Sequence, residues 1–226
     1  MNSLVKRDAV FLDRDGVINL YVYNAEFGTV DSPSSPDEFT LAPGAGNAIA
    51  EFNRLGLLVV VVSNQPGIAK GKFTSALLDR VTTKMHDGVA ASGGKLDGVY
   101  YCLHHPEAVV PQYRAHCGCR KPHPGLLLQA ARELGIQLQT SYMIGDGISD
   151  IEAGRAAGTR TIFIGQAKPY ILDALEKRGI QPDFMAPTLA DAAESIKRQM
   201  AAIRNGQMLE EPDGERPNRN SVSDQS

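Results

Sequence analysis

Short apolar runs alternate with stretches of helical spacing along most of the chain. AVFLD (9–13) predicts a buried strand. GAGNAIAEFNRLG (44–56) carries apolar residues at helical intervals and stops at a glycine. LLVVVVSN (57–64) is a near-continuous, valine-rich run, as expected of a parallel strand covered on both faces. A helix follows over 74–93, with Thr74 as its N-cap, and then a strand over 96–102. A helix over 124–136 opens on a proline and ends near Gly135. A strand over 141–146, a helix over 149–158, a strand over 159–165 and a closing helix over 188–202 complete the series. Strand–helix alternation of this kind predicts an α/β fold with a central parallel sheet and right-handed crossovers. Ligands of such sheets gather beyond the carboxyl ends of the strands.

Two segments break the alternation. Residues 20–40 form a long connection containing Ser and Pro, and loops of this length are functional or disordered more often than not. Residues 205–226 are polar and poor in apolar side chains, which predicts a disordered tail. The expected organisation is one domain over 1–203, with the insert at 20–40 and the tail at 204–226.

Composition narrows the function without naming it. A formal net charge of −3 creates no basic field for nucleic acid or for an anionic membrane surface. No apolar run approaches the ~20 residues of a membrane span, and the first residues lead straight into a charged motif without a signal-peptide pattern. The expectation is a cytoplasmic protein.

The chemistry collects at the predicted strand ends. Asp13 and Asp15, in FLDRDGV, leave the first strand together, with Gly16 to permit a sharp turn. Paired carboxylates there can hold a divalent cation, act as nucleophile and move a proton. The second strand ends in VVSNQ, bringing Ser63, Asn64 and Gln65 to the same edge. The fourth ends in IGDGISD, bringing Asp146 and Asp150, and CRKPHPG places Arg120 and Lys121 just before a helix. Each of these is weak alone: Ser-Asn is turn chemistry, Asp caps helices, and Arg-Lys is commonly solvated surface. Together they line one rim with acids, a hydroxyl and two cations, the set a phosphoryl group on a magnesium ion requires.

A second cluster lies between these motifs. Cys102-x-His104, twelve intervening residues, and Cys117-x-Cys119 offer three thiolates and an imidazole, suited to a closed tetrahedral Zn²⁺ site. His105 competes with His104 for the fourth position, and His116 and His123 are further candidates. The absence of C-x-x-C argues against redox chemistry.

The ordered set DRDGV, VVSNQ, RKP and GDGISD resembles the haloacid dehalogenase (HAD) superfamily of aspartate-nucleophile phosphatases, over roughly residues 8–200. The resemblance implies a three-layer Rossmann-like fold. It implies Asp13 as nucleophile, Asp15 as acid and base, and Ser63 and Lys121 on the phosphoryl oxygens. Mg²⁺ would sit on Asp13, Asp146 and the Asp15 main chain, with Asp150 orienting that shell. Gly147 departs from the pattern, since related enzymes often carry an acid or lysine there. YYCLHHPE, CGCRKPHPG and SNQPGIAKGKF further resemble the branch containing heptose-bisphosphate and histidinol-phosphate phosphatases. There a zinc loop (here 102–119) stands in place of a large cap domain. In that branch Asn64, Gln65, Arg120 and Lys121 would meet the substrate, with Lys70 and Lys72 as candidate helpers.

The implied activity is Mg²⁺-dependent hydrolysis of a small phosphorylated metabolite by a monomer. A heptose 1,7-bisphosphate is the first expectation; histidinol phosphate or another sugar phosphate is the alternative. A non-catalytic phospho-acceptor module could keep Asp13 but would not need Asp15 as acid and base, and the presence of both, with Lys121, argues against it. The 20–40 insert is longer than the branch leads one to expect, and Tyr21, Tyr23, Asn24 and Phe27 on it could fold over the site.

Overall fold

The structure is a computed structural model that describes residues 6–26, 28–165 and 169–205. Phe27 and the tail from 206 onward lie outside the described residues. Six parallel strands form the central sheet: β1 (Ala9–Leu12), β4 (Leu58–Asn64), β5 (Gly98–Cys102), β6 (Tyr142–Gly145), β7 (Arg160–Ile164) and β8 (Phe184–Ala186). Their order is β5-β4-β1-β6-β7-β8, so the chain crosses over β1 to reach β6. Register is set by in-line pairs such as Phe11 with Val60 and Leu12 with Ile144.

Side-chain alternation along β1 builds both faces of the core. Val10 and Leu12 join Val59, Val61 and Ile144 on one face, under α1 (Ala45–Arg54), α2 (Ser75–Ala91) and α6 (Leu189–Arg204). Ala9 and Phe11 join Val60, Val62 and Met143 on the other, under α3 (Gly125–Leu134) and α4 (Ile148–Ala157). The result is the three-layer arrangement the alternation predicts. It also explains the unbroken valine run of β4, which is apolar at every position because both its faces are buried.

Local chemistry sets the helix ends. Thr74 caps α2, its Oγ1 accepting from the Leu77 amide at 3.3 Å, and caps of this kind contribute about 1 kcal/mol. On α1, Ala45, Ala48, Ile49 and Phe52 recur at one-turn spacing and are the buried stripe. Gly135 and Gly158 end α3 and α4.

Four of the named strands and helices go beyond the sequence reading. The 20–40 connection contains a two-stranded antiparallel hairpin, β2 (Val22–Asn24) and β3 (Thr29–Asp31). Its base is closed by backbone bonds from Leu20 to Thr40 and from Ala42 to Ile18, both 2.9 Å. A further helix, α5 (Pro169–Lys177), and the short edge strand β8 lie between β7 and α6.

Candidate active site and metal centres

The turn that follows β1 places the first two acids. Asp13 continues the β1 ladder, its amide donating to Ile144 at 3.0 Å, and the chain then reverses through Gly16-to-Asn19 and Asn19-to-Arg14 backbone bonds. Gly16 has φ +82°, and a Cβ there would lie 2.1 Å from Asp146 Oδ2. Both the backbone conformation and the closeness of the β6 acid exclude a side chain at this position.

The Asp13 and Asp15 side chains diverge. Asp15 is buried, and its two oxygens accept from Arg14 (Nε at 3.1 Å, Nη2 at 2.9 and 3.1 Å), Asn19 Nδ2 (2.9 Å) and Gln65 Nε2 (2.7 Å). Arg14 is itself fully buried, with its guanidinium 5.7 Å from the Tyr101 ring centroid. Sequence reasoning missed Arg14, because nothing in DRDG says that the arginine folds back on its neighbour. Asp13 keeps part of its carboxylate open and faces Lys121.

Lys121 is the centre of the site. Its buried ammonium lies 2.9 Å from Asp13 Oδ1 and 2.6 Å from Asp150 Oδ1, and it donates to the Val62 carbonyl at 2.9 Å. Burial works against its charge, yet Asp13 and Asp150 together outweigh burial and raise its pKa. Burial likewise raises the pKa of Asp150 against the pull of Lys121. Asp150 Oδ2 also accepts the Gly147 amide at 3.0 Å, fixing the acid at the start of α4.

Asn64 departs from expectation. The sequence reading sets it among the substrate contacts, but its amide brackets the Lys121 main chain, with Nδ2 donating to the carbonyl and Oδ1 accepting from the amide, both at 3.0 Å. Its side chain is thus committed to joining β4 to the loop before α3. Ser63 and Gln65 are buried, and Gln65 Nε2 reaches Ser63 Oγ at 3.2 Å as well as Asp15. Lys72 pairs with Asp31 of the hairpin, while Lys70 stands exposed.

Asp13, Asp146 and Asp150 each offer a carboxylate oxygen, all within 4.8 Å of one another. The Asp15 side chain is not part of this group. Burial, followed by the charges of Asp13 and Asp150, pushes the Asp146 carboxyl up to about 7. Three converging hard oxygen donors, two of which raise the pKa of Asp146, fit a divalent cation, which would relieve the repulsion.

The thiols gather as the sequence predicts. Cys102 ends β5, and Cys117 and Cys119 flank a turn that leads into Arg120 and Lys121. The sulfurs of Cys102, Cys117 and Cys119 stand 3.3, 3.3 and 3.6 Å apart, and His104 Nδ1 lies 3.5 Å from Cys119 and 3.9 Å from Cys102. A tetrahedron with ~2.3 Å metal–sulfur bonds has edges of about 3.8 Å, close to these spacings. His105 turns away, its Nδ1 accepting from the Glu107 amide at 3.1 Å. Arg120 reaches back to the His104 carbonyl at 3.5 Å. A cavity of about 380 Å³ beside this turn is lined by His116, Arg120, Lys121 and His123. Among the described residues, no helix is long and apolar enough to cross a membrane.

Comparison with known proteins agrees with this geometry. A HAD-hydrolase-like family model matches residues 118–192, from the thiol turn to the start of α6. The chain is 40% identical over 195 residues to D-glycero-beta-D-manno-heptose-1,7-bisphosphate 7-phosphatase of Escherichia coli K12, covering 84% of this chain and 94% of that protein. It is 37% identical over 193 residues to the enzyme of the same name from Yersinia pestis, covering 84% and 95%. Among solved structures it is similar to the D,D-heptose 1,7-bisphosphate phosphatase of B. bronchiseptica complexed with magnesium and phosphate. That match has a TM-score of 0.70 and 30% identity and covers 85% of this chain and 99% of the other. The Burkholderia thailandensis enzyme matches with a TM-score of 0.59 and 29% identity over 84% and 99%. The chain is a phosphoric monoester hydrolase, and it belongs to the HAD-like family that includes the heptose-1,7-bisphosphate 7-phosphatases.

Proposed function

We propose that this phosphatase removes the 7-phosphate of D-glycero-D-manno-heptose 1,7-bisphosphate through a covalent phosphoryl intermediate on Asp13. The observation that carries the mechanism is the salt bridge of Lys121 to Asp13 at 2.9 Å, which holds a cation against the one acid of the trio that follows β1. The relatives at 38–40% identity, matched over 94% and 96% of their own length, support the substrate.

A carboxylate oxygen of Asp13 attacks phosphorus as the ester oxygen departs, and Asp15 gives that oxygen its proton. Asp15 then takes a proton from water, which attacks phosphorus and breaks the bond to Asp13, releasing inorganic phosphate. Lys121 and Ser63 bind the transferring oxygens, with preorganised charge rather than covalent chemistry as the main source of rate. Gln65, which touches both Asp15 and Ser63, holds the acid in register with the hydroxyl. Arg120 and Lys121 grip the sugar phosphate at the mouth, beside the cavity under the thiol turn. Asn64 acts on the substrate through Lys121, whose main chain it fixes.

Mg²⁺ on Asp13, Asp146 and the Asp15 main-chain carbonyl would screen negative charge between nucleophile and phosphate. Zn²⁺ on Cys102, His104, Cys117 and Cys119 would be structural, since four protein ligands close the site. Retaining those thiols reduced suits a cytoplasmic enzyme. The working unit is one domain over 1–203 acting as a monomer.

Phosphate release in Mg²⁺ should be compared across heptose bisphosphates, hexose bisphosphates and histidinol phosphate. The highest kcat/KM is expected for the heptose bisphosphate, with the 1-phosphate left in place. Equal or better turnover of histidinol phosphate would overturn the substrate assignment.

A further inference from the structure

The 20–40 insert is fastened to the body at several points and presents one side chain to the acid cluster. Backbone bonds close its base, Lys84 of α2 donates to the Pro36 carbonyl, and Asp31 of β3 pairs with Lys72 in the loop after β4. At the start of the insert the Tyr21 hydroxyl donates to Asp146 Oδ2 at 2.9 Å, and its ring covers Gly16 so closely that a Cβ there would lie 2.7 Å from Cε2. The hydroxyl end is enclosed by acids while 44% of the residue remains exposed. A phenol keeps its proton at neutral pH, so at this distance the hydroxyl is a donor to the carboxylate. A carboxylate that gives one oxygen to a neutral donor has its plane fixed and keeps the other oxygen for a cation. Outer partners of this kind orient metal ligands and are worth about 10- to 100-fold in metal affinity.

We propose that Tyr21 is a positioning residue for the metal-binding acid Asp146, and that the insert holds it there through the Asp31–Lys72 pair. The proposal rests on the reading of Asp146 as a magnesium ligand. The insert thereby gains a definite role, in which the hairpin delivers an outer donor to the metal site of an enzyme without a large cap.

The decisive experiment is calorimetric titration of the metal-free full-length protein with Mg²⁺ alone. Y21F should bind Mg²⁺ about 10- to 100-fold more weakly, with the Tm of the metal-free protein unchanged and kcat recovering at high Mg²⁺. K72M, which keeps the tyrosine, should weaken binding about 2- to 5-fold, the range of an exposed ion pair. D146N separates the tyrosine's role from that of the acid it holds. Wild-type affinity in Y21F alongside lost binding in D146N would overturn the role of Tyr21 and leave the metal reading standing. Wild-type affinity in D146N would overturn both. Weakened binding in Y21F with wild-type affinity in K72M would overturn the tether.

Discussion

Lys121 Nζ lies 2.9 Å from Asp13 Oδ1, and the same ammonium is 2.6 Å from Asp150. One buried cation therefore bridges the acid at the end of β1 and the acid at the start of α4. Lys121→Met would leave both carboxylates without their cation, Asp150 in a fully buried position. Breaking a buried pair from one side costs about 3–5 kcal/mol. Urea unfolding of the metal-free variant should show a loss of that order, together with lost turnover. A change below about 1 kcal/mol would mean that the acids find other partners.

Asp13→Asn removes the nucleophile while keeping its shape. Turnover should fall by about 10³-fold or more, since removing a nucleophile abolishes the step rather than weakening one contact. Circular dichroism and Tm should stay close to wild type. Near-wild-type phosphate release would exclude Asp13 as the attacking group.

The Asp146 carboxyl, raised to about 7 by burial and then by Asp13 and Asp150, ties magnesium to pH. Its folded pKa lies above the unfolded value of ~3.9, so between the two the folded state holds a proton that the unfolded chain has released. Stability of the metal-free protein from this group therefore falls as pH rises from about 4 to about 7 and is level above that. Mg²⁺ competes with the same proton, so its affinity should drop about 10-fold per pH unit below 7. The rise in Tm on adding Mg²⁺ should be large at about pH 8 and small at about pH 5.5. An equal rise at both would remove Asp146 from the metal site.

Zinc should be recovered at about one ion per chain from protein purified without chelator. Cys119→Ser should release it and lower Tm by about 10 °C, equivalent to ~3 kcal/mol for a domain of this size. Cys119 is two residues from Lys121, so the same variant should lose activity by misplacing Arg120 and Lys121. Metal analysis that finds no zinc, with Tm unchanged in the variant, would remove the zinc site.

The elements the sequence discloses are those whose burial writes a strong pattern. β4 is legible because both faces are buried, and α1 because Ala45, Ala48, Ile49 and Phe52 repeat every turn. The β2–β3 hairpin is not, since Tyr23 and Val30 pair across it while exposed and no buried face imposes an alternation. β8 has three residues and α5 buries only Leu175, too short a run and too little burial to mark either. In the site, residue types at strand ends disclosed which groups converge. They did not disclose which way each side chain turns: Asn64 to the Lys121 backbone, Asp15 into the grip of Arg14, and Tyr21 to Asp146. Those directions depend on contacts 57 and 125 residues apart in the Asn64 and Tyr21 cases, beyond any local pattern.

The strand order divides the molecule unevenly. Every acid, hydroxyl and cation assigned to the reaction leaves from β1, β4, β6 or the loop after β5, on the side of the sheet that ends at β6. Among the described residues, β7, β8 and α5 supply none of the side chains assigned to the reaction. That flank is therefore the edge where surface substitutions are expected to change stability before they change chemistry.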